Sequence, residues 1–307
     1  MFFYFWWRFA LAVFPYIPRR MGYPLGVVGS EIAWLFWPRG RRRAMIANYR
    51  RVLGPGNADA AGKVARASVR NYFRYLIDLS RFHKESPEAL ERRVVFDGWP
   101  MIEAAHAQGK GMVLALMHFG FWDLGGAIMT LHGYKMNAVA ETLDHAKLNE
   151  LIQGARAFRG INIIPLERSA YGIVRALKRG EAVALLIDRP VPGAGVPVRF
   201  FGDATEIPGG VATVALRTGA PVMAVSLVRI PGQRILGLVE VIDLPRTGDM
   251  GADVRELTQR IMHAHERVIR RYPDQWYKFR AMWPEASAPT SAAAREDGAG
   301  ALPVVEV

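Results

Sequence analysis

His118 and Asp123 are the residues whose types and spacing could do chemistry. His118 closes an apolar run, residues 112–117, and Asp123 follows it across a short turn containing Gly120. A run of that length and composition predicts a buried strand, and the residues from 123 to 131 predict a helix. A histidine at the carboxyl end of a strand can hand its ring N–H to a nearby carboxylate. This fixes the tautomer and leaves the other ring nitrogen as a base. Asp123, five residues on, is the carboxylate expected to do so, although an aspartate opening a helix can equally cap its free N–H groups. A histidine beside an apolar strand is also commonly a purely structural residue, so the neighbours must decide.

Those neighbours are polar residues at further strand ends. Glu141 ends a predicted strand at 137–141. Asp188 and Arg189 end another at 182–188, and Arg156 lies on the helix 145–158 between them. In open α/β sheets the carboxyl ends of the strands converge on one crevice. Taken singly, each of these residues also reads as a cap or a surface ion pair.

The elements that would position them alternate from Val94 onward. Strands are expected at 94–97, 112–117, 137–141, 161–166 and 182–188, with helices at 99–107, 123–131, 145–158 and 171–178 between them. Such alternation predicts an α/β fold with a mostly parallel central sheet flanked by helices. Residues 189–208 read as a long loop holding one strand, 196–201. A helix at 209–217, two neighbouring strands at 222–230 and 235–242, and a closing helix at 253–271 complete the domain. The Ala-, Gly- and Pro-rich residues 286–307 read as a disordered tail.

Composition narrows the function classes. The chain has 307 residues, 51% of them hydrophobic, no cysteine and a net charge of +12. Disulfide frameworks, thiolate nucleophiles and cysteine metal sites are excluded. His263 and His265, two apart on a helix, point in different directions and predict no metal site. Residues 1–51 hold nine arginines against the single acid Glu31, +8 of the total, together with Trp6, Trp7, Trp34 and Trp37. Arginines mixed with interfacial aromatics favour an anionic membrane surface over nucleic acid, for which no recognition motif is present. Residues 1–53 are therefore expected to form a membrane anchor with interfacial helices, and 54–285 the catalytic domain. Residues 1–17 are slightly short for a span and carry Arg8 and Pro15, so the anchor dips into the bilayer or barely crosses it.

His118-Phe-Gly-Phe-Trp-Asp123 resembles the HX4D motif of the lysophospholipid acyltransferase superfamily. More closely, the chain resembles the bacterial lipid A late acyltransferases (lauroyl and myristoyl type) and the phosphatidylinositol mannoside acyltransferases. The likeness runs to about Pro284. It includes Val139-Ala-Glu141, Arg156-Ala-Phe-Arg-Gly160, LLIDRP ending at Pro190, VPVRFFGD ending at Asp203, PGGVATVALRTGAPV from Pro208, and Tyr272-Pro-Asp-Gln-Trp276. After Glu141 the chain reads TLDHAKLNE rather than the Tyr-Arg-x-x-x-Asn stretch common in the lipid A branch. The Phe-Pro-Glu-Gly-Thr-Arg block of glycerol-phosphate acyltransferases is also absent.

The resemblance implies acyl transfer from acyl-CoA or acyl-carrier protein to a hydroxyl of a membrane glycolipid, at the cytoplasmic face of the bacterial inner membrane. It implies neither metal nor other cofactor. His118 and Asp123 would be catalytic. Glu141, Arg156, Asp188 and Arg189 would bind substrate, and the oxyanion donors would be backbone N–H groups of the Gly-rich turn or an arginine. The rival readings are a lysophospholipid acyltransferase and a non-catalytic basic protein that binds membranes.

Overall fold

The computed structural model describes residues 2–143 and 145–283, leaving aside the side chains of residues 2–7. The tail expected at 286–307 lies outside the described residues.

Four helices lead into the domain: α1 (Phe2–Val13), α2 (Arg19–Phe36), α3 (Arg39–Leu53) and α4 (Ala61–Arg81). Pro18 and Pro38, with φ fixed near the helical value, stand directly before α2 and α3. Gly22, Gly26, Ser30 and Ala33 recur at three- and four-residue intervals and give α2 a small-residue face buried on α4. A β-carbon on Gly26 would lie 2.4 Å from Ile77 Cδ1, so a larger residue there would force the Ile77 side chain to move. A separate face of α2 carries Met21, Leu25, Val28, Ile32 and Leu35, all exposed. Among the described residues no helix is long and apolar enough to cross a membrane.

A buried charge cluster ties α2 to the body. Asp78 of α4 accepts from Arg19 Nε at 2.9 Å and Tyr23 Oη at 2.9 Å, and Arg93 and Arg229 close on its other oxygen at 3.1 and 2.9 Å. Burial opposes ionisation of this carboxyl. The three guanidinium groups outweigh it and hold Asp78 well below the usual carboxylate range.

The domain then alternates as expected. A short α5 (Pro87–Glu91) precedes β1 (Val94–Val95), α6 (Trp99–His106), β2 (Met112–Leu116), α7 (Trp122–Leu131), β3 (Met136–Ala140), α8 (Ala146–Phe158), β4 (Ile161–Pro165), α9 (Ser169–Lys178) and β5 (Ala182–Leu186). The stretch expected to be a loop with one strand holds two, β6 (Val196–Phe200) and β7 (Asp203–Ile207), paired as an antiparallel hairpin. Its turn is Phe201-Gly202, both with positive φ, the conformation that a tight hairpin needs. After it come α10 (Gly210–Thr218), β8 (Val222–Ile230), β9 (Arg234–Ile242) and α11 (Met250–Arg271).

Seven strands form one sheet in the order β1-β9-β8-β2-β5-β3-β4. Strands β8, β2, β5, β3 and β4 run parallel, and β9 returns antiparallel to β8. The chain leaves β2 toward β3 and leaves β5 toward β8 on the other side. The adjacent carboxyl ends of β2 and β5 therefore form a topological switch point, where a crevice opens.

Candidate active site

Register builds the site. Leu116 of β2 pairs with Leu186 of β5. His118 and Asp188, each two residues further, leave the sheet side by side. His118 Nδ1 lies 2.7 Å from Asp188 Oδ1, and the His118 backbone N–H donates to Asp188 Oδ2 at 3.2 Å. Trp276 Nε1 donates to the same oxygen at 2.9 Å, and Lys278 Nζ donates to the Asp188 carbonyl at 2.6 Å. Burial raises the cost of charge on Asp188. The His118 imidazole, Lys278 and the Trp276 donor outweigh it and hold the carboxyl well below its ordinary range. An ionised Asp188 fixes the ring proton on Nδ1 and makes Nε2 the basic nitrogen.

The carboxylate expected to accept the ring N–H, Asp123, is engaged elsewhere. Asp123 Oδ1 accepts from Arg156 Nε at 2.7 Å and Oδ2 from Tyr75 Oη at 2.7 Å, all three side chains being buried. The reason is the helix: Asp123 lies in the first turn of α7 and faces α8, where Arg156 sits. The pairing read from chain proximity is thus replaced by one set by sheet register, and Asp188, expected among the substrate-binding residues, holds the imidazole. Tyr75 stacks on Trp122 at 4.2 Å, and Trp122 meets the His118 ring edge-on at 5.6 Å. The Asp123–Arg156 pair therefore supports the wall against which His118 rests.

The turn itself is fixed by backbone contact. Gly120 has φ +61, and a β-carbon there would sit 1.6 Å from the Leu227 carbonyl oxygen. Its N–H donates to Gln275 O at 2.9 Å, and the Phe121 N–H to Leu227 O at 3.0 Å. The N–H groups of His118, Gly120 and Phe121 are thus committed to the fold, which removes them as oxyanion donors.

Glu141 and Arg189 meet as expected of residues at neighbouring strand ends and form a salt bridge. With His118, Asp123, Arg156 and Lys278 they line one cavity of about 1190 Å³. Its inner wall is apolar: Leu116, Leu186, Val225 and Val239 from the sheet, Ile128 and Met129 from α7. Leu186 and Val225 belong to interior strands yet are only half-buried, because this cavity lies against them. Sequence reasoning missed Trp276 and Lys278. Two residues apart in an extended segment, they share a side, but nothing in the sequence says that this segment returns to the end of β5.

The family model of bacterial lipid A biosynthesis acyltransferases matches residues 2–284. The chain belongs to that family. It is accordingly an acyltransferase of lipid biosynthesis. Similar proteins include the phosphatidylinositol mannoside acyltransferase of Mycolicibacterium smegmatis, 29% identical over 247 residues that make up 77% of this chain and 77% of the relative. That of Mycobacterium tuberculosis is likewise 29% identical over 77% of this chain and 75% of its own.

A second histidine behind the site is kept neutral. His265 Nε2 lies 3.1 Å from the Ala115 carbonyl, and Ser226 Oγ is 3.5 Å from Nδ1. Burial pushes its pKa from 6.5 down to about 4. Between those values the unfolded chain binds a proton that the folded chain does not. Stability is therefore greatest above pH 6.5 and falls as pH drops through the window, by roughly 2 kcal/mol from pH 7 to pH 5. Urea unfolding at the two pH values measures this, and a His265→Gln protein should lose that part of the pH dependence.

Proposed function

We propose that this acyltransferase moves a fatty acyl group from a CoA or acyl-carrier-protein thioester to a hydroxyl of a membrane glycolipid, of the lipid A or phosphatidylinositol mannoside kind. The observation that carries the reading is the His118–Asp188 pair opening on a large cavity with an apolar inner wall, which suits an acyl chain lying beside a base. Nε2 of His118 takes the proton of the acceptor hydroxyl as its oxygen attacks the thioester carbonyl. Collapse of the tetrahedral intermediate breaks the C–S bond, and the imidazolium returns the proton to the leaving thiolate. The oxyanion needs a donor. With the His118, Gly120 and Phe121 amides committed, an arginine of the cavity wall takes that role in this reading, and Arg156 is buried there and aligned by Asp123. Glu141 and Arg189 border the acceptor side.

Membrane association belongs to the same reading. The exposed apolar face of α2 runs into Arg39, Arg41, Arg42 and Arg43 at the start of α3, a pattern that suits insertion at an anionic surface without a span. This would hold the cavity at headgroup depth on the cytoplasmic face of the inner membrane. A basic surface also suits an acidic carrier protein or CoA.

The test is product analysis. Purified protein given labelled acyl-CoA or acyl-carrier protein should acylate a mannosylated or lipid A-type acceptor in mixed micelles, with the product's mass raised by one acyl group. Transfer to lysophospholipids alone would replace the glycolipid reading. Absence of transfer to any lipid alcohol would overturn the reading altogether.

A further inference from the structure

The apolar wall of the cavity extends well beyond what the chemistry at His118 needs, and strand pairing shows in which direction. Val225 of β8 stands one residue past the Ala115–Ala224 pair, alongside Leu116 of β2, and it pairs with Val239 of β9. Leu227 pairs with Gly237, and Phe96 stands one residue past the Val95–Leu236 pair, alongside Gly237. Residues paired across strands share a side of the sheet, as do residues two apart along one strand. Leu116, Val225, Leu227, Gly237, Val239 and Phe96 therefore lie on one face, and all six line the cavity. Helix α7 covers this face: a β-carbon on Gly125 would lie 2.9 Å from Leu227 Cδ2. Val225 is half-buried although the other residues of β8 from Val222 to Val228 are buried, so the cavity passes over it. Toward β4 the wall residues Met136, Ile152 and Ile161 are buried, whereas Gly237, Val239 and Phe96 are half-buried. The open room thus lies toward β1, the edge of the sheet. Aromatic rings stop it there. A β-carbon on Gly237 would come within 2.8 Å of the Phe96 ring and one on Gly98 within 2.5 Å, so the two glycines leave the space that this ring fills. Trp99 meets Phe96 edge-on at 5.0 Å and stacks on His132 at 3.9 Å.

We infer that Phe96, backed by Trp99, closes a channel across β8 and β9 and sets the longest fatty acyl chain that the enzyme accepts. From His118 the path drops two residues to Leu116 and crosses three strand spacings to β1, about 16–21 Å in all, the length of an extended chain of about 12–16 carbons. A shorter chain leaves apolar wall uncovered. A longer one drives its last methylenes against the two rings. Phe96 touches no reacting atom, so its part is selection of the donor. This inference rests on the acyl-transfer reading above, which makes the occupant of the wall a fatty acyl group.

The experiment measures kcat/KM for a series of saturated acyl thioesters of increasing length with one acceptor, for wild type, Phe96→Ala, Val225→Phe and Ile161→Ala. In wild type kcat/KM should rise about fourfold per methylene up to a limit and drop beyond it. Phe96→Ala should move that limit up by about two to four carbons, the room that a lost phenyl ring leaves. Val225→Phe, which sets a ring across the channel one strand from His118, should move it down by about four carbons or more. Ile161→Ala, on the β4 side, should leave it in place. A limit unmoved by a folded Phe96→Ala protein, or moved by Ile161→Ala in its stead, would overturn the inference. Should Phe96→Ala fail to fold, Val225→Phe decides: a shortened limit supports the channel and an unchanged one overturns it. If wild type transferred to no lipid alcohol, the functional reading would fail separately. Calorimetric titration with the acyl-CoA series would then judge the channel: a length of tightest binding that shifts in the two variants as stated supports it, and one equal to wild type overturns it.

Discussion

Replacing His118 by alanine should lower the transfer rate at least a hundredfold, and up to about ten-thousandfold, while the protein keeps its fold. An alcohol is a poor nucleophile until its proton is removed, and His118 supplies the ring nitrogen at the carboxyl end of β2 where the apolar cavity begins. The ring lies beyond the carboxyl end of β2 and lines the cavity, so its loss leaves the strand pairing intact. Single-turnover transfer of labelled acyl groups measures the rate, and near-UV circular dichroism with thermal melting reports the fold. A folded His118→Ala protein within tenfold of wild type would remove His118 as the base.

The second large effect separates two carboxylates. Asp188→Asn should reduce kcat between a hundredfold and ten-thousandfold, because the carboxamide can present its N–H₂ to Nδ1 and so move the ring proton to the nitrogen that must act as base. The acceptor KM should change little. Asp123→Asn should act differently. It leaves the buried Arg156 guanidinium without its carboxylate, which costs about 3–5 kcal/mol and lowers the melting temperature, with activity falling as Arg156 and the wall around His118 lose their alignment. Denaturant unfolding and steady-state kinetics on both variants distinguish the two. A kcat within tenfold of wild type for Asp188→Asn, at a temperature where it is folded, would remove Asp188 as the imidazole partner.

The alternation of strands and helices from Val94 was legible because each element announces itself locally, through an apolar run or a helical period. The convergence of polar strand ends was legible for the same reason. What the chain does not display is which strands are neighbours. Asp123 lies five residues from His118 and Asp188 lies seventy, so proximity in sequence favoured the wrong carboxylate for Nδ1. Only the placement of β5 beside β2, with Leu116 opposite Leu186, brings Asp188 alongside. The hairpin β6–β7 was half-read, since Asp203 and Glu206 hide a strand whose inward side is Thr205 and Ile207. Trp276 and Lys278 were unreadable because their contacts depend on a segment that crosses back after α11.

The Leu116–Leu186 pairing has a consequence for the nascent chain. Base and carboxylate acquire their partnership only when two strands seventy residues apart zip in the correct alignment, and a shift by one position would turn one of the two side chains to the opposite side of the sheet. On the proposed mechanism, a half-assembled molecule would therefore lack its paired base.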